Sequence, residues 1–427
     1  MAEQSEILFR NVRIIDGGGK PPFAGEVRVR GNRIEAVGRR PGALAAEGAE
    51  VIDGGGATLM PGLVEAHAHP SFANTATLEA VGDIPPEEHT LLTMKHVRLL
   101  LDHGFTSICS AASAKPRLDI VVRNAINAGD IPGPRMLAAS PEMTVTSGLG
   151  DVRLSHMHRD SVGVIADGAD EFRRVARFFV REGVDTLKIN PSGDEFVPFA
   201  RARHTVMTED EVAAVCEVAR SRDKRVAVHA RSAESVKLSL RHGVQIIYHA
   251  TLSDEEALDG LEAARDRVFV APTVGVTYTT FKEAADYGII LPDDVLRALE
   301  HELECASDNM RALKKRGVRV LPGGDYGFLW NPIGRNARDL EHFVNLLGYT
   351  PMEAIVAATR LGAEIMMMGD ELGQVRPGFL ADLLLVDGDP AKDVRILQDR
   401  ERILMVMKDG RFHRRPAIRA AQPMAAE

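Results

Sequence analysis

Short apolar runs recur along the middle of the chain, and stretches with helical periodicity lie between most of them. An apolar run bounded by turn residues indicates a buried strand, whereas apolar positions spaced by three and four residues indicate an amphipathic helix. Eight strands are predicted in this way, at residues 63–67, 105–110, 135–139, 186–189, 225–229, 244–248, 268–271 and 318–321. Strands that alternate with helices favour a parallel sheet.

The predicted helices carry recognisable start signals. Thr208 and Thr350 are each followed three residues later by a glutamate, which is the spacing of a capping box. Ser232 is a candidate N-cap for a helix whose end is marked by Gly243. Eight strand–helix repeats predict an α/β fold, a (β/α)8 TIM barrel, with a doubly wound open sheet as the competing topology. No G-x-G-x-x-G motif follows a strand to support that competitor.

Both ends of the chain show a different pattern. Residues 1–59 and 373–415 hold short strands divided by glycine-rich turns, and Asp409-Gly410 is a strong hairpin signal. We therefore predict a small β-sandwich domain built from both ends, around a barrel at residues 60–372. Residues 416–427, which are rich in alanine, are predicted to form a flexible tail.

The composition narrows the class of protein. The formal net charge is −9, and because a nucleic-acid-binding protein needs a basic surface, no nucleic-acid partner is expected. No apolar run is long enough to span a membrane, and the first residues lack the apolar core of a secretory signal. The three cysteines (Cys109, Cys216 and Cys305) lie far apart, which suits a reducing compartment. We expect a cytoplasmic protein with no membrane partner.

Chemically capable side chains follow several predicted strands. His67 and His69 end the first strand, His229 the fifth and His249 the sixth, while Asp325 follows the eighth. In a barrel of this type, catalytic groups sit at the C-terminal ends of the strands, and residues two apart in a strand point to the same side. Each of these residues taken singly is typical of a structural role. Their occurrence at corresponding strand ends instead indicates a metal site with Asp325 as ligand and proton acceptor.

Lys188 is unusual because it lies inside the apolar strand predicted at 186–189. An unpaired ammonium is costly to bury, so one interpretation is a buried ion pair with an acidic neighbour. The other is chemical: burial favours the neutral amine, which can add carbon dioxide. The resulting carbamate is a carboxylate on a long arm, and it would bridge two cations. We favour the second interpretation, since the histidines and Asp325 otherwise lack a bridging ligand.

Taken together, these residues resemble the signature of the amidohydrolase superfamily in their order and strand placement. The likeness spans nearly the whole chain, from both ends of the β-sandwich through these positions: Pro61–His69, Lys188, His229, His249, Asp325 and Gly373–Leu383. Within the superfamily the chain is most similar to the imidazolonepropionase-related, prolidase- and carboxypeptidase-like branch. That branch includes an ochratoxin-type amide hydrolase and hydrolases of phenylurea and thiocarbamate herbicides. Imidazolonepropionase itself has no strand-four lysine, which disfavours that reaction.

The resemblance implies a ligand set and an assembly. His67, His69 and Asp325 would hold a first metal ion, and His229 and His249 a second. N6-carboxylated Lys188 would bridge two divalent ions, which are usually zinc, and nitrogen and oxygen ligands suit zinc. Members of the family often form homo-oligomers. The hypothesis is hydrolysis by a metal-bound hydroxide, with Asp325 as general base and then general acid.

Specificity is expected to come from the loops at the strand ends. Arg231 follows His229 closely and would bind a substrate carboxylate or carbonyl, with a surface salt bridge as an equally weighted alternative. Tyr248 is a candidate oxyanion donor, although barrel packing is the favoured role. Three aromatic residues after Asp325 either line an apolar substrate pocket or pack the loop: Tyr326, Phe328 and Trp330. His156 and His158 are left as lid or surface residues.

Three function classes follow from these residues. The first is an amide hydrolase acting on a dipeptide, an N-acyl amino acid or an aryl amide. The second is a hydrolase of urea, carbamate or thiocarbamate compounds. The third is a scaffold without activity, which is disfavoured because all six ligand positions are filled. Segments that differ from related sequences, such as Ser147–Asp151, imply an altered specificity.

Overall fold

The computed structural model describes residues 6–416, so residues 417–427 of the predicted tail lie outside the described part. The strands, numbered in chain order, are β1 Glu6–Ile14, β2 Phe23–Arg30, β3 Arg33–Gly38, β4 Glu50–Asp53, β5 Thr58–Pro61, β6 Leu63–Ala68, β7 Phe105–Ser110, β8 Arg135–Leu137, β9 Ala139–Thr144, β10 Val164–Ile165, β11 Thr186–Ile189, β12 Arg225–Ser232, β13 Ile246–Leu252, β14 Phe269–Ala271, β15 Arg319–Val320, β16 Leu383–Val386, β17 Ile403–Lys408 and β18 Arg411–Arg414.

All eight predicted barrel strands are present and pair in parallel. The order β6-β7-β8 continues through β9, β11, β12, β13, β14 and β15. The last strand returns to the first, because the Ala66 amide donates to Pro322 O (3.2 Å) and Ala68 forms a bridge with Tyr326. The predicted (β/α)8 barrel is therefore closed.

The third barrel strand differs from its prediction, which was one run at 135–139. Its first part, β8, pairs with β7, and its second part, β9, pairs with β11. The strand breaks at Ala138, whose amide donates to the Asp185 carboxylate (2.8 Å) rather than to a neighbouring strand.

The helices cover the outside of the barrel or extend its loops. They are α1 Leu78–Asp83, α2 Pro86–Asp102, α3 Leu118–Ala128, α4 Ala169–Glu182, α5 Glu209–Arg220, α6 Ala233–Arg241, α7 Glu255–Ala263, α8 Val274–Lys282, α9 Asp293–Lys315, α10 Arg338–Asn345, α11 Pro351–Val356 and α12 Gly362–Ile365. The capping boxes predicted at Thr208 and Thr350 are present, and the Ser232 hydroxyl accepts from the Ser235 amide.

A second sheet joins both ends of the chain, in the order β18-β17-β16-β5-β1-β2-β3, with β4 added beside β1. The predicted hairpin is present, with Asp409 (φ 49°) and Gly410 (φ 70°) between β17 and β18. This sheet encloses its own apolar core, and Arg135 of the barrel pairs with Asp382 (2.8 Å) and Asp409 (2.5 Å) of the sheet. The exact domain limits stay predictions.

The loops that follow the barrel strands converge at the C-terminal ends of those strands. Apolar side chains such as Leu187, Val228 and Ile247 form one continuous core with the surrounding helices. No helix within residues 6–416 has the length and apolar character required to cross a membrane.

Candidate metal centre

Three predicted ligands meet at the mouth of the barrel. The Nε2 atoms of His67 and His69 lie 3.0 Å apart, and Asp325 Oδ1 lies 3.5 Å from the first and 3.2 Å from the second. One ligand atom from each residue lies within 4.8 Å of the other two. All three are buried, so the sequence prediction that they converge agrees with the geometry.

Backbone contacts fix the first histidine pair. Because β6 alternates its side chains, His67 and His69 project to the same side. His69 Nδ1 donates to the Ala112 carbonyl (3.2 Å), which leaves the Nε2 lone pair free for a cation. The Glu65 carboxylate accepts from the His67 amide (3.2 Å) and from Asn336 Nδ2 (2.9 Å), and so anchors the strand from below.

The second histidine pair lies beside the first. The rings of His229 and His249 are 4.0 Å apart between centroids, and His67 and His249 are 5.6 Å apart. His249 Nδ1 is hydrogen-bonded to Thr273 Oγ1 (2.5 Å), while its Nε2 is buried without a hydrogen-bond partner. His229 Nε2 contacts the Gly193 carbonyl at 2.9 Å, a contact that must be released before that nitrogen binds a cation.

The backbone is strained at several positions in or after the C-terminal parts of these strands. His249, Ala250, Thr273 and Asp325 have φ values of 76°, 52°, 56° and 59°, a left-handed region that residues other than glycine adopt at a cost of about 1–3 kcal/mol each. Strained positions of this kind cluster at functional sites, where the surrounding structure maintains them. Here they accompany two predicted ligands.

Lys188 has an acidic partner. Its Nζ lies 3.3 Å from Glu142 Oε1, and the two residues are register partners on β11 and β9. The ion-pair interpretation of Lys188 therefore describes the uncarboxylated side chain. Lys188 and Glu142 line the same small cavity as His67, His69, His229 and Asp325, so the amine is within the site. Its carboxylation stays a prediction.

Arg231 occupies neither of the two predicted environments. It is 2% exposed, which contradicts a surface salt bridge, and its guanidinium is already engaged. Nη2 lies 2.8 Å from Asp194 Oδ2, and Nη1 pairs with Glu302 Oε1. Asp194 Oδ2 is in turn 3.8 Å from His229 Nε2. Arg231 thus belongs to a buried charge cluster behind the second histidine pair, and binding a substrate carboxylate would require breaking it.

Burial sets the protonation of the centre. It lowers the pKa of His67, His229 and His249 well below the ordinary histidine value, and Arg231 adds to the effect at all three. Burial acts to raise the pKa of Asp325, but His67, His69 and Arg231 outweigh it and hold that pKa well below its usual range.

Neutral imidazoles and an ionised carboxylate are the forms that bind a cation. The convergence of buried lone pairs, one of them without any partner, fits a divalent metal ion with nitrogen and oxygen ligands.

The predicted substrate residues divide into two groups. Tyr248 is fully buried below His67, with its ring centroid 4.0 Å from that imidazole and its hydroxyl 4.0 Å from Cys109 Sγ. This position supports packing rather than a contact with substrate. Tyr326 is also buried, and its hydroxyl lacks a partner. Phe328 and Trp330, in contrast, line an apolar cavity of about 400 Å³.

His156 and His158 lie in the loop after the third strand and are exposed. Their neighbours Leu154 and Met157 line the apolar cavity, so this loop covers it.

Sequence reasoning missed three acidic residues, and one of them had a signal. Glu142 lies between Pro141 and Met143 in a strand of mixed composition, which does not single it out. Glu302 falls on the buried stripe of α9, between Leu299 and Ala306, where an apolar residue is expected. Asp194 lies in a loop and had no such signal.

Comparisons with known proteins agree with the fold. The sequence model of the amidohydrolase family matches residues 58–412. The ochratoxinase of Aspergillus niger is 24% identical over 386 residues, which cover 84% of this chain and 76% of that protein. A crystal structure of an amidohydrolase is 28% identical with a TM-score of 0.84, covering 96% of this chain and 98% of that one. A Xaa-Pro dipeptidase with bound methionine in its active site is 26% identical with a TM-score of 0.83, covering 96% and 100%.

Proposed function

Because the chain belongs to the amidohydrolase family and is a hydrolytic enzyme acting on C–N bonds, we propose that it cleaves an amide bond of a small molecule. The observation that carries the proposal is the convergence of His67, His69 and Asp325, whose ligand atoms lie within 4.8 Å of one another in a buried site. A site of this kind at the C-terminal ends of barrel strands is where enzymes with this fold place their chemistry.

Two divalent ions would occupy the centre, and we propose that both are zinc. His67, His69 and Asp325 would hold one ion, His229 and His249 the other, and carboxylated Lys188 would contribute to both. When bound, such ions supply Lewis acidity, which polarises a carbonyl and makes water more acidic.

The chain itself supplies proton transfer and positioning. Asp325 directs Oδ1 toward the two imidazoles, which leaves Oδ2 to accept a proton from the attacking water and to return it to the leaving nitrogen. Its low pKa keeps the carboxylate in the accepting form at neutral pH. Phe72 stacks on His69 with centroids 3.9 Å apart and excludes water from one side of the centre.

A substrate panel tests the proposal. The full-length protein, supplied with zinc and bicarbonate, is assayed for amine release from aryl amides, N-acyl amino acids, dipeptides and phenylureas. We expect zinc-dependent turnover of amides, with a kcat that falls by about 10³ in Asp325→Asn. Turnover confined to phenylureas would contradict amide cleavage, and no zinc-dependent turnover of any member would contradict the assignment of hydrolysis at this centre.

A further inference from the structure

An apolar cavity opens beside the metal centre. It has a volume of about 400 Å³, and it shares Leu78, Phe196 and Phe328 with the small cavity that the ligand residues line. A group attached to a bond held at the centre can therefore extend into this space. Since a cavity of about 150 Å³ holds one benzene molecule, the space accommodates an aromatic ring with further apolar substituents.

The walls come from several loops, and most of their inner surface is apolar. Val152, Val197 and Ile289 line the cavity together with Phe328 and Trp330. The rings of Phe328 and Trp330 stack with centroids 5.2 Å apart. The Trp330 indole donates its Nε1–H to Thr280 Oγ1 (2.9 Å), so the polar atom of the indole is already satisfied by the protein.

Apolar side chains continue onto the rim. Leu154 is 56% exposed and Phe199 50% exposed, and both line the cavity. Exposed large apolar side chains grouped at the mouth of a pocket mark a binding site, because each costs free energy while it faces water.

The charged residues around the cavity disfavour a substrate group that is itself negatively charged. Its charged lining residues are Glu79, Asp151 and Arg159. Arg159 is paired with Asp83, with Nη1 3.0 Å from Oδ1, so acidic groups outnumber basic ones. Arg231 is the other residue that could bind a substrate carboxylate, but it is already paired with two acidic partners. A carboxylate in the cavity would be desolvated beside two others, with no free cation among the lining residues that lie within 6–416.

From this geometry we infer that the substrate carries an uncharged aromatic or branched apolar group next to the scissile bond, and no free carboxylate there. The inference rests on the proposed function and narrows it, since it selects neutral aryl or alkyl amides over dipeptides and N-acyl amino acids. The apolar group lies against Phe328 and Trp330, and the amide is directed toward Asp325.

Trp330 provides a direct readout because it is the single tryptophan of the chain. Its fluorescence is titrated in the full-length protein with 4-isopropylacetanilide, 4-acetamidobenzamide and 4-acetamidobenzoate, whose ring substituents are apolar, polar and charged. The titration is made with zinc and again after chelation. We expect the dissociation constant to rise in that order, with the carboxylate at least about tenfold weaker than the isopropyl compound. Equal or tighter binding of the carboxylate would overturn the inference.

Matched variants locate the effect. Phe199→Lys places a cation at the rim and is expected to improve binding of the carboxylate several-fold relative to the isopropyl compound. Leu91→Lys makes the same change at a residue of α2 that is 65% exposed and away from the cavity, and it should alter neither constant. An unchanged ratio in Phe199→Lys would overturn the placement of the substrate. Loss of carboxylate binding in Arg159→Gln would show that Arg159 is an anion site after all.

These experiments distinguish failure of the proposed function from failure of the substrate inference. If the isopropyl compound binds in preference but no amide is hydrolysed with zinc, the proposed function is wrong and the cavity assignment stands. If amides are hydrolysed while carboxylates bind more tightly, the inference is wrong and the function stands.

Discussion

Gly323 lies directly against the backbone of His67. A β-carbon placed on Gly323 would stand 2.7 Å from the His67 Cβ and 2.8 Å from its amide nitrogen, closer than non-bonded atoms approach. The loop after β15 is therefore packed onto β6 at the ligand itself. The close contact with His67 explains the glycine at this position, since the φ of Gly323 is not in the left-handed region that favours glycine.

Gly323→Ala should displace His67 and weaken the first metal position. We expect the variant to lose about 2 kcal/mol of unfolding free energy through overpacking, together with much of the zinc that we propose the wild type binds. Metal content and urea unfolding measure the two effects. Gly82→Ala is the matched control, because nothing lies within 4 Å of its added carbon. Normal zinc content in Gly323→Ala would contradict the role of this contact.

Asp325→Asn should separate proton transfer from metal binding. The amide retains an oxygen ligand but cannot accept a proton, so kcat should fall by about 10³ while most of the zinc remains. Steady-state kinetics and metal analysis of the same preparation provide the comparison. Asp266→Asn, at an exposed position, should behave as the wild type. Near wild-type kcat in Asp325→Asn would exclude this residue as the proton carrier.

The strand positions and the ligands at their ends could be predicted from sequence because both depend on local pattern. A buried strand shows as an apolar run, and its end is where polar residues resume. His229, His249 and Asp325 each follow such a run and reach the site by closure of the barrel. The break at Ala138 could not be predicted, since it arises from the Asp185 carboxylate, which is remote in sequence.

Glu302→Gln tests the charge cluster behind the second histidine pair. Glu302 accepts from Thr251 Oγ1 (2.7 Å) and pairs with Arg231, so loss of its charge leaves Arg231 with one acidic partner. We expect a loss of about 2 kcal/mol of unfolding free energy and weaker binding of the second zinc. Glu300→Gln, exposed on the same helix, should change neither. Unaltered stability and zinc affinity in Glu302→Gln would refute the role of the cluster.

His342 should make the protein sensitive to mild acid. Burial, with Arg338 nearby, lowers its pKa to about 4, whereas the unfolded chain protonates near the ordinary value of about 6.5. Below pH 6.5 the unfolded state thus binds a proton that the native state does not, and stability falls by about 2 kcal/mol at pH 5.

His342→Phe removes the imidazole that takes up this proton in the unfolded chain, and it keeps an aromatic ring beside Tyr278. Unfolding free energies at pH 7.5 and pH 5 should therefore differ by about 2 kcal/mol less in the variant than in the wild type. The exposed His156 supplies a control, since His156→Ala should leave the pH dependence as it is. An unchanged acid loss in His342→Phe would assign the effect to other groups.

Arg231 shows why the substrate contacts could not be predicted as well as the ligands. Its position two residues after His229 suggested access to the mouth, but its environment is decided by Glu302 of α9 and Asp194 of a loop. Such partners are set by tertiary packing, which the local pattern does not record. The apolar cavity depends likewise on loops brought together by the barrel, so only Phe328 and Trp330 were identified in advance.

We propose that six side chains at one mouth of the barrel hold two metal ions. Anomalous diffraction at the zinc edge, recorded from a crystal grown with zinc and bicarbonate, locates such ions. We predict two anomalous peaks per chain, one beside His67, His69 and Asp325 and one beside His229 and His249, with density for a carboxylated Lys188 between them. Absence of peaks at this mouth, with Lys188 still paired to Glu142, would contradict the claim.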